Sequence, residues 1–378
     1  MKNRDICAQE LAAQNTSVES LPTLVSVETT SICNLRCVMC GHAIGDVQRL
    51  KHMPNDQIET LRPALAVADS IQLHGIGEPT ASPSFWKIME SGYINPDAAV
   101  NVNSNFTLLN DKKINTLVNS HLKLSLNVST DAARPETYAK IRGFDLQIVL
   151  DNIRKVIALR DGNKYPEIFM NMTLMRENIE EVVEFIELAH GLGVDRVCLW
   201  HLNHWDDATM AKYKIDRDGW RFDYAEQGLW NYPELSDSYI KKAIKRASDL
   251  KMPLYLDQNK VVFFKSESGE SGAEIDDVEL PSSDVSVKDC AYPWRWALIT
   301  SSGAVRPCCY ATKDVGDINT HSITDVWNNK TMQSLRASVR ANRVHPVCEG
   351  ASCKFVQQMP KQSWLGRLGS KAREVLGV

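Results

Sequence analysis

Three of the chain's ten cysteines, Cys33, Cys37 and Cys40, fall within the run S-V-E-T-T-S-I-C-N-L-R-C-V-M-C-G-H-A-I-G at residues 26–45. Leu24, Val25 and Val27 ahead of them read as a short buried strand. Asn34 and the Gly41/Gly45 pair mark a loop. A C-x3-C-x2-C spacing inside one loop aims three thiolates at a single point, which soft metals and iron–sulfur clusters need. Two readings stay open on spacing alone. One is a closed zinc site with His42 as fourth ligand. The other is a cubane cluster whose fourth iron is left open to a substrate or cofactor.

The rest of the chain narrows the setting. Its 378 residues suffice for one large domain and a smaller one. A net charge of −4 gives no basic footprint for nucleic acid. No apolar run is long enough for a transmembrane helix, and the N-terminus M-K-N-R-D-I-C lacks a signal-peptide core. The cysteines group as 33/37/40, 290/308/309 and 348/353, with Cys7 and Cys198 apart. Grouped cysteines without a secretory context read as metal-binding rather than as disulfides. A reduced, cytoplasmic location is the expectation, since cluster chemistry is sensitive to oxidants.

Residues 1–22 read as a polar lead-in with Cys7 an incidental thiol. From there to residue 205, strands near 23–29, 70–75, 99–104, 122–128, 167–173 and 195–201 alternate with helical patterns at 55–68, 111–119, 146–160 and 178–192. Alternation of this kind gives parallel βαβ units. The expected fold is α/β, a partial (β/α)6 TIM-like barrel with a small C-terminal hairpin-and-helix module. Sites on such sheets lie at the carboxyl ends of the strands, where the three-cysteine loop falls. Residues 206–289 read as aromatic and acidic loops over the barrel mouth, a helix at 236–251, a strand at 253–256 and an acidic mobile linker at 265–288.

C-N-L-R-C-V-M-C after a strand resembles the signature of the radical S-adenosylmethionine (SAM) superfamily, with Met39 where an aromatic residue is usual. The resemblance implies that Cys33, Cys37 and Cys40 hold a [4Fe–4S] cluster whose open iron chelates SAM. It also implies reductive cleavage of SAM to a 5′-deoxyadenosyl radical that abstracts a hydrogen atom. H-G-I-G-E-P-T at 74–80 resembles the family's G-G-E-P segment, which assigns Gly77 and Glu78 to the amino group of SAM. An ammonium requires carboxylate and carbonyl acceptors. N-V-N-S-N-F-T-L-L resembles the T-N-G segment, carrying over Ser104 and Asn105, with Phe106 in place of glycine. V-S-T-D…I-R-G implies Ser129 at the SAM ribose, Asp131 as an orienting residue, and Arg142 against the SAM carboxylate, for which a guanidinium fork is suited. Cys198, on the sixth strand, is a weak candidate hydrogen donor. His201, Asn203 and His204 are candidates for lining a substrate pocket.

Near the C-terminus, strands at 296–300 and 304–306 around Ser302-Gly303 form a hairpin. It brings Cys290 and Cys308 together, and Cys348 and Cys353 close the set. Four thiolates make closed coordination, which a zinc ribbon also uses. The order C-x12-G-x4-C, then G-D-I and a Trp-containing helix, resembles the SPASM/twitch extension, which implies one auxiliary [4Fe–4S] cluster. Whether Cys308 or Cys309 is the ligand stays open. The segments expected are thus a lead-in at 1–22, a core barrel at 23–205, a connecting region at 206–289, an auxiliary-cluster domain at 290–356 and an amphipathic tail at 357–378, a possible docking helix.

The expected activity is that of a radical SAM oxidoreductase, a dehydrogenase or epimerase. Its substrate would be a small hydroxylated molecule such as a sugar or aminocyclitol. The auxiliary cluster would take the second electron, and a flavodoxin or ferredoxin would supply the first. The alternative is modification of a ribosomal peptide or protein residue, and a zinc-stabilised binding module is the non-enzymatic reading.

Overall fold

The computed structural model describes residues 1–47, 50–256, 286–351 and 353–357. Residues up to 285 of the acidic linker, and the amphipathic tail beyond residue 357, lie outside the described residues.

Twelve strands are present among these residues: β1 (Leu24–Val27), β2 (Ser70–Gln72), β3 (Ala99–Ser104), β4 (Lys123–Ser129), β5 (Glu167–Leu174), β6 (Arg196–His201), β7 (Lys214–Arg217), β8 (Trp220–Asp223), β9 (Leu254–Leu256), β10 (Trp296–Ile299), β11 (Ala304–Arg306) and β12 (Gly316–Asp317). Ten of them form one sheet in the order β12-β11-β10-β1-β2-β3-β4-β5-β6-β9. From β10 through β1–β6 to β9 every neighbour is parallel. The crossovers carry helices α2 (Gln57–Leu65), α3 (Pro83–Glu90), α4 (Asp111–Val118), α5 (Pro135–Arg142), α6 (Leu146–Arg160) and α7 (Val182–Leu192), numbered after an N-terminal α1 (Asn3–Ala12). This is the partial TIM-like barrel, and its carboxyl strand ends all open on one side.

Strict alternation along the strands divides the two faces. Val100, Val102, Leu124, Leu126, Val128, Ile168, Met170, Met172 and Val197 join one core cluster with helix residues such as Leu61, Ile153 and Phe185. The intervening positions face the barrel interior and are largely polar, Ser26, Gln72, Asn101, Asn103, Ser125, Asn127, Ser129, Asn171 and Thr173, with Phe169, Cys198 and Trp296 among them. Contacts across that face agree, as Ser26 Oγ donates to Gln72 Oε1 at 2.7 Å and Trp296 Nε1 donates to Ser26 Oγ at 2.8 Å.

Three expectations change. The lead-in is not featureless, because α1 places Cys7, 3% exposed, with its Sγ donating to the Trp294 carbonyl at 3.2 Å. Only Cys7 and Glu10 of α1 are buried, so the helix has no apolar stripe to betray it. The C-terminal hairpin does not stand as a separate sheet, since β10 pairs parallel with β1 and extends the barrel. Residues 206–232 are not plain loops. β7 and β8 form a hairpin through Asp218 and Gly219, both in the left-handed region at φ 50° and 79°, the geometry of a type I′ turn. Met210, Tyr213, Phe222 and Tyr224 build a second core with Val38, Ile141 and Met175 over the carboxyl strand ends.

Candidate functional site

The three-cysteine loop leaves β1 at the carboxyl end of the barrel and is tied down from several sides. The Cys40 N–H donates to the Cys37 carbonyl at 2.9 Å, and the Val38 N–H to the Ile141 carbonyl at 3.0 Å. Arg217 of β7 donates to the Lys140 carbonyl at 2.9 Å and also to the Arg36 carbonyl, clamping α5 to the loop. Burial pushes the Cys37 thiol up to about 11, against the pull of Arg142. Burial also raises Cys33, and Cys40 adds to the rise at both sites. His42 is not grouped with the thiols. Its ring bonds the Ile76 backbone, burial lowers its pKa, and its Nε2 has no partner.

Gly77 lies where the loop after β2 crosses the cysteine loop. A Cβ there would come within 2.4 Å of the Thr30 carbonyl and 2.6 Å of the Ile32 carbonyl. The Glu78 N–H donates to the Ile32 carbonyl at 2.9 Å. The Glu78 carboxylate, 3% exposed, is held inside the protein by hydrogen bonds from two loops. Oε1 accepts from Thr80 N at 3.0 Å, Thr80 Oγ1 at 2.6 Å and Ser104 Oγ at 2.6 Å, and Oε2 accepts from Asn105 N at 2.7 Å. A carboxylate has about four lone-pair positions, two on each oxygen; three donors crowd Oε1 and one reaches Oε2. Glu78 therefore fixes the geometry of two loops, and Oε2, with one donor, keeps an accepting position for the expected ammonium. Ser104 serves the same purpose, because its Oγ also accepts from Phe106 N at 3.0 Å. Phe106 holds φ 61° where the resemblance has glycine, so the chain keeps the left-handed backbone despite the side chain. Asn105 reaches the cysteine loop, donating from Nδ2 to Asn34 Oδ1 at 3.0 Å and lying 4.0 Å from Cys33 Sγ.

Asp131, at φ 60° and 1% exposed, holds Arg142. Its Oδ2 accepts from Arg142 Nε at 2.8 Å and lies 2.5 Å from Nη2, while Oδ1 accepts from Thr173 N at 2.6 Å. Arg142 Nη1 lies 3.7 Å from Cys37 Sγ. Ser129 ends β4 on the inner face, in register with Asn171.

Farther inside, Cys198 shares that register row with Asn171 on one side and Tyr255 on the other. It is 5% exposed, and burial pushes its thiol up to about 12. His74 and Asn171 each bury a polar atom without a partner, Nδ1 and Oδ1. Sequence reasoning missed His74 as a site residue, although it stands at the end of a strand. At the mouth, His204 packs edge-on against Trp230 with ring centroids 4.8 Å apart, and the Asn203 carbonyl accepts from Tyr224 Oη at 2.8 Å. His201 closes β6, 8% exposed.

At the opposite, amino end of the barrel, Cys290, Cys308, Cys348 and Cys353 line one cavity of about 30 Å³, walled by Tyr292, Ala311, Leu335, Val339 and Phe355 among others. Cys309 does not line it and is exposed. Burial pushes the Cys290 and Cys348 thiols up to about 12, with the neighbouring thiols adding to the rise.

Among the described residues no three His, Cys, Asp or Glu side chains are grouped closely enough for one metal ion. Yet the four C-terminal thiols line one cavity, and the fields of Cys33, Cys37 and Cys40 reach one another. Four sulfurs suit zinc or an iron–sulfur group, while three are one ligand short of a closed zinc site. Cys33, Cys37 and Cys40 would hold an iron–sulfur group with three ligands, and Cys290, Cys308, Cys348 and Cys353 another with four.

Comparisons with known proteins agree. The family model of the radical SAM superfamily matches residues 27–189, and that of the SPASM iron–sulfur cluster-binding domain matches residues 290–354. The chain is 24% identical to the AdoMet-dependent heme synthase of Methanosarcina barkeri over 345 residues, 88% of this chain and 90% of that protein. Further curated relatives match over about half of their own length. The fold is similar to that of Streptococcus suis SuiB bound to S-adenosylmethionine, with a TM-score of 0.60 and 14% identity over 92% of this chain and 74% of that one. It is also similar to anSMEcpe with bound AdoMet, with a TM-score of 0.55 and 15% identity over 90% and 88% of the two chains. The chain belongs to the radical SAM superfamily and carries a C-terminal SPASM iron–sulfur domain.

Proposed function

We propose that this enzyme oxidises an alcohol carbon of a small, hydroxylated molecule bound inside the barrel. The observation that carries the reading is the inner face itself. Between the two cysteine sets it presents neutral hydrogen-bonding side chains, Asn103, Asn127, Ser129 and Asn171, and two buried polar atoms without partners, His74 Nδ1 and Asn171 Oδ1. Buried polar atoms call for hydrogen-bond partners, and hydroxyl groups supply both donors and acceptors. The charged inner residues Glu167 and Arg196 stand at the amino end, Arg196 over the Phe169 ring at 5.1 Å.

When bound, the SAM-chelating cluster supplies a 5′-deoxyadenosyl radical as hydrogen-atom acceptor, and the auxiliary cluster supplies a one-electron acceptor whose ligands all come from protein. Loss of a hydrogen atom, a proton and an electron converts the carbinol to a ketone. His74 is suited to take the hydroxyl proton. Burial lowers its pKa, with the Asn101 backbone opposing, so the ring is neutral, and its Nδ1 has no other partner. Cys198 is suited to return a hydrogen atom in an epimerisation, because its raised pKa keeps the S–H bond intact.

The test is incubation of the reconstituted enzyme with SAM, reductant and a panel of sugars and aminocyclitols. A ketone two mass units lighter than its substrate is expected, and a Cys198→Ala variant separates the two outcomes. Turnover of the panel to an epimer that stops in Cys198→Ala would replace dehydrogenation by epimerisation. Inert panel members beside a modified peptide would overturn the small-molecule reading. Peptide modification is the second reading, since backbone amides are also neutral donors and acceptors. Fold neighbours include SuiB bound to the precursor peptide SuiA.

A further inference from the structure

We propose that Arg142 sets the reduction potential of the cluster held by Cys33, Cys37 and Cys40, through a hydrogen bond from its buried guanidinium to the Cys37 sulfur. The proposal rests on the cluster-binding reading of that loop and adds a role the resemblance does not assign. There, Arg142 is a partner for the SAM carboxylate. Here, its donors are largely committed to the protein before any ligand arrives.

The geometry is over-determined. Arg142 is 8% exposed, at the last position of α5. One side of the fork, Nε and Nη2, closes on Asp131 Oδ2 at 2.8 and 2.5 Å. The other side, Nη1, points at Cys37 Sγ from 3.7 Å. Asp131 cannot swing away, because Thr173 N donates to its Oδ1 at 2.6 Å and Asn178 Nδ2 to its carbonyl at 2.8 Å. The cysteine loop cannot withdraw either. Val38 N–H holds the Ile141 carbonyl at 3.0 Å, and Arg217 bridges that same carbonyl, at 3.1 Å, to Arg36. Sulfur, guanidinium and carboxylate thus form one row, fixed at both ends.

The chemistry follows from charge. Reduction adds an electron to a cluster whose negative charge is shared by the cysteine sulfurs. Hydrogen bonds to those sulfurs and nearby charge set cluster potentials, and a donor that is itself cationic makes a stronger bond. Burial works against the charge on Arg142, but the fields of Asp131 and Cys37 outweigh it, and its pKa is raised overall. Asp131 offsets part of the charge, so the directed N–H, not the net charge alone, is what Cys37 receives. The other donors at this site are neutral, Leu35 N at 3.4 Å and Asn105 Nδ2 at 4.0 Å from Cys33 Sγ. Arg142 therefore favours the reduced state and raises the midpoint potential.

The experiment is an anaerobic redox titration followed by electron paramagnetic resonance, on the reconstituted full chain without SAM. Wild type is compared with Arg142→Gln and Arg142→Lys, iron and sulfide being measured on each. The SAM-binding cluster is expected to titrate at a lower potential in R142Q, and at an intermediate one in R142K, which keeps the charge but not the planar donor. The auxiliary cluster is the internal reference and stays put. An unmoved or raised midpoint at full iron content overturns the proposal. Should R142Q lose iron, wild-type protein carrying nitrogen-15 arginine decides. Hyperfine spectroscopy of the reduced cluster is expected to find a nitrogen-15 coupling, and its absence overturns the proposal. A wild type with no cluster at Cys33, Cys37 and Cys40 would instead overturn the cluster-binding reading itself, and iron analysis tells the two failures apart.

Discussion

Replacing Glu78 by glutamine isolates what its carboxylate does. The side chains are isosteric, so no cavity opens. Four donors converge on the carboxylate: Thr80 N, Thr80 Oγ1 and Ser104 Oγ on Oε1, and Asn105 N on Oε2. The least damaging placement of the new amide puts its NH2 where Oε2 was, facing the Asn105 N–H donor to donor. One charge-assisted bond, worth about 1.5–3 kcal/mol, is lost, and three others weaken to neutral bonds of roughly 0.5–1.5 kcal/mol. Glu78→Gln should therefore cost about 4–7 kcal/mol on these scales. At about 2–4 °C per kcal/mol for domains of this order, the apoprotein should melt roughly 8–28 °C lower. Anaerobic scanning calorimetry of the apoprotein reads this without any cofactor. A melting temperature within about 2 °C of wild type, on that scale, would refute the reasoning. It would mean that the internal bonds of the carboxylate contribute little.

Other expectations follow from single contacts. Arg336, 0% exposed, donates to the Pro293, Thr16 and Trp327 carbonyls at 2.9–3.1 Å. Arg336→Met leaves two buried acceptors and a half-buried one bare and should destabilise by about 3–5 kcal/mol, with auxiliary iron lost before the iron at Cys33, Cys37 and Cys40; calorimetry and iron analysis check it. Cys308→Ser should halve the iron content and Cys309→Ser should leave it unchanged, because only Cys308 lines the four-thiol cavity. Burial holds His74 below its ordinary 6.5. The unfolded chain then takes up the proton first on acidification, so stability should fall as pH drops below about 6.5. His74→Gln should flatten part of that fall in urea titrations, His42 contributing the same sign.

The barrel was legible because its strands alternate. L-S-L-N-V-S and I-F-M-N-M-T at β4 and β5 carry apolar residues outward to the helices and, Phe169 apart, polar ones inward, and the helical pattern at 146–160 matches the bounds of α6, Leu146–Arg160. The β7–β8 hairpin was missed although Asp218-Gly219 is a strong turn signal. The short flanking strands, half exposed, lack a clean period, and the surrounding aromatics read as loop. The lead-in helix was missed because its burial rests on Cys7 and Glu10, neither of which looks like core. The parallel pairing of β10 with β1 joins residues far apart in sequence, and no local pattern encodes it. Within the site, the thiols were legible from spacing. The commitments of Glu78 and Arg142 were not, since they depend on Ser104, Asn105, Asp131 and Cys37, which meet only in the folded chain.

The central claim is that two iron–sulfur clusters flank one barrel interior. The direct test is iron and acid-labile sulfide per chain after anaerobic reconstitution, for wild type and for the variant with Cys33, Cys37 and Cys40 all changed to alanine. By four-iron stoichiometry, about eight irons falling to about four is expected. About four falling to none would deny the C-terminal thiols their cluster and remove the electron acceptor the proposed oxidation requires. Zinc without iron in both proteins would contradict the account as a whole.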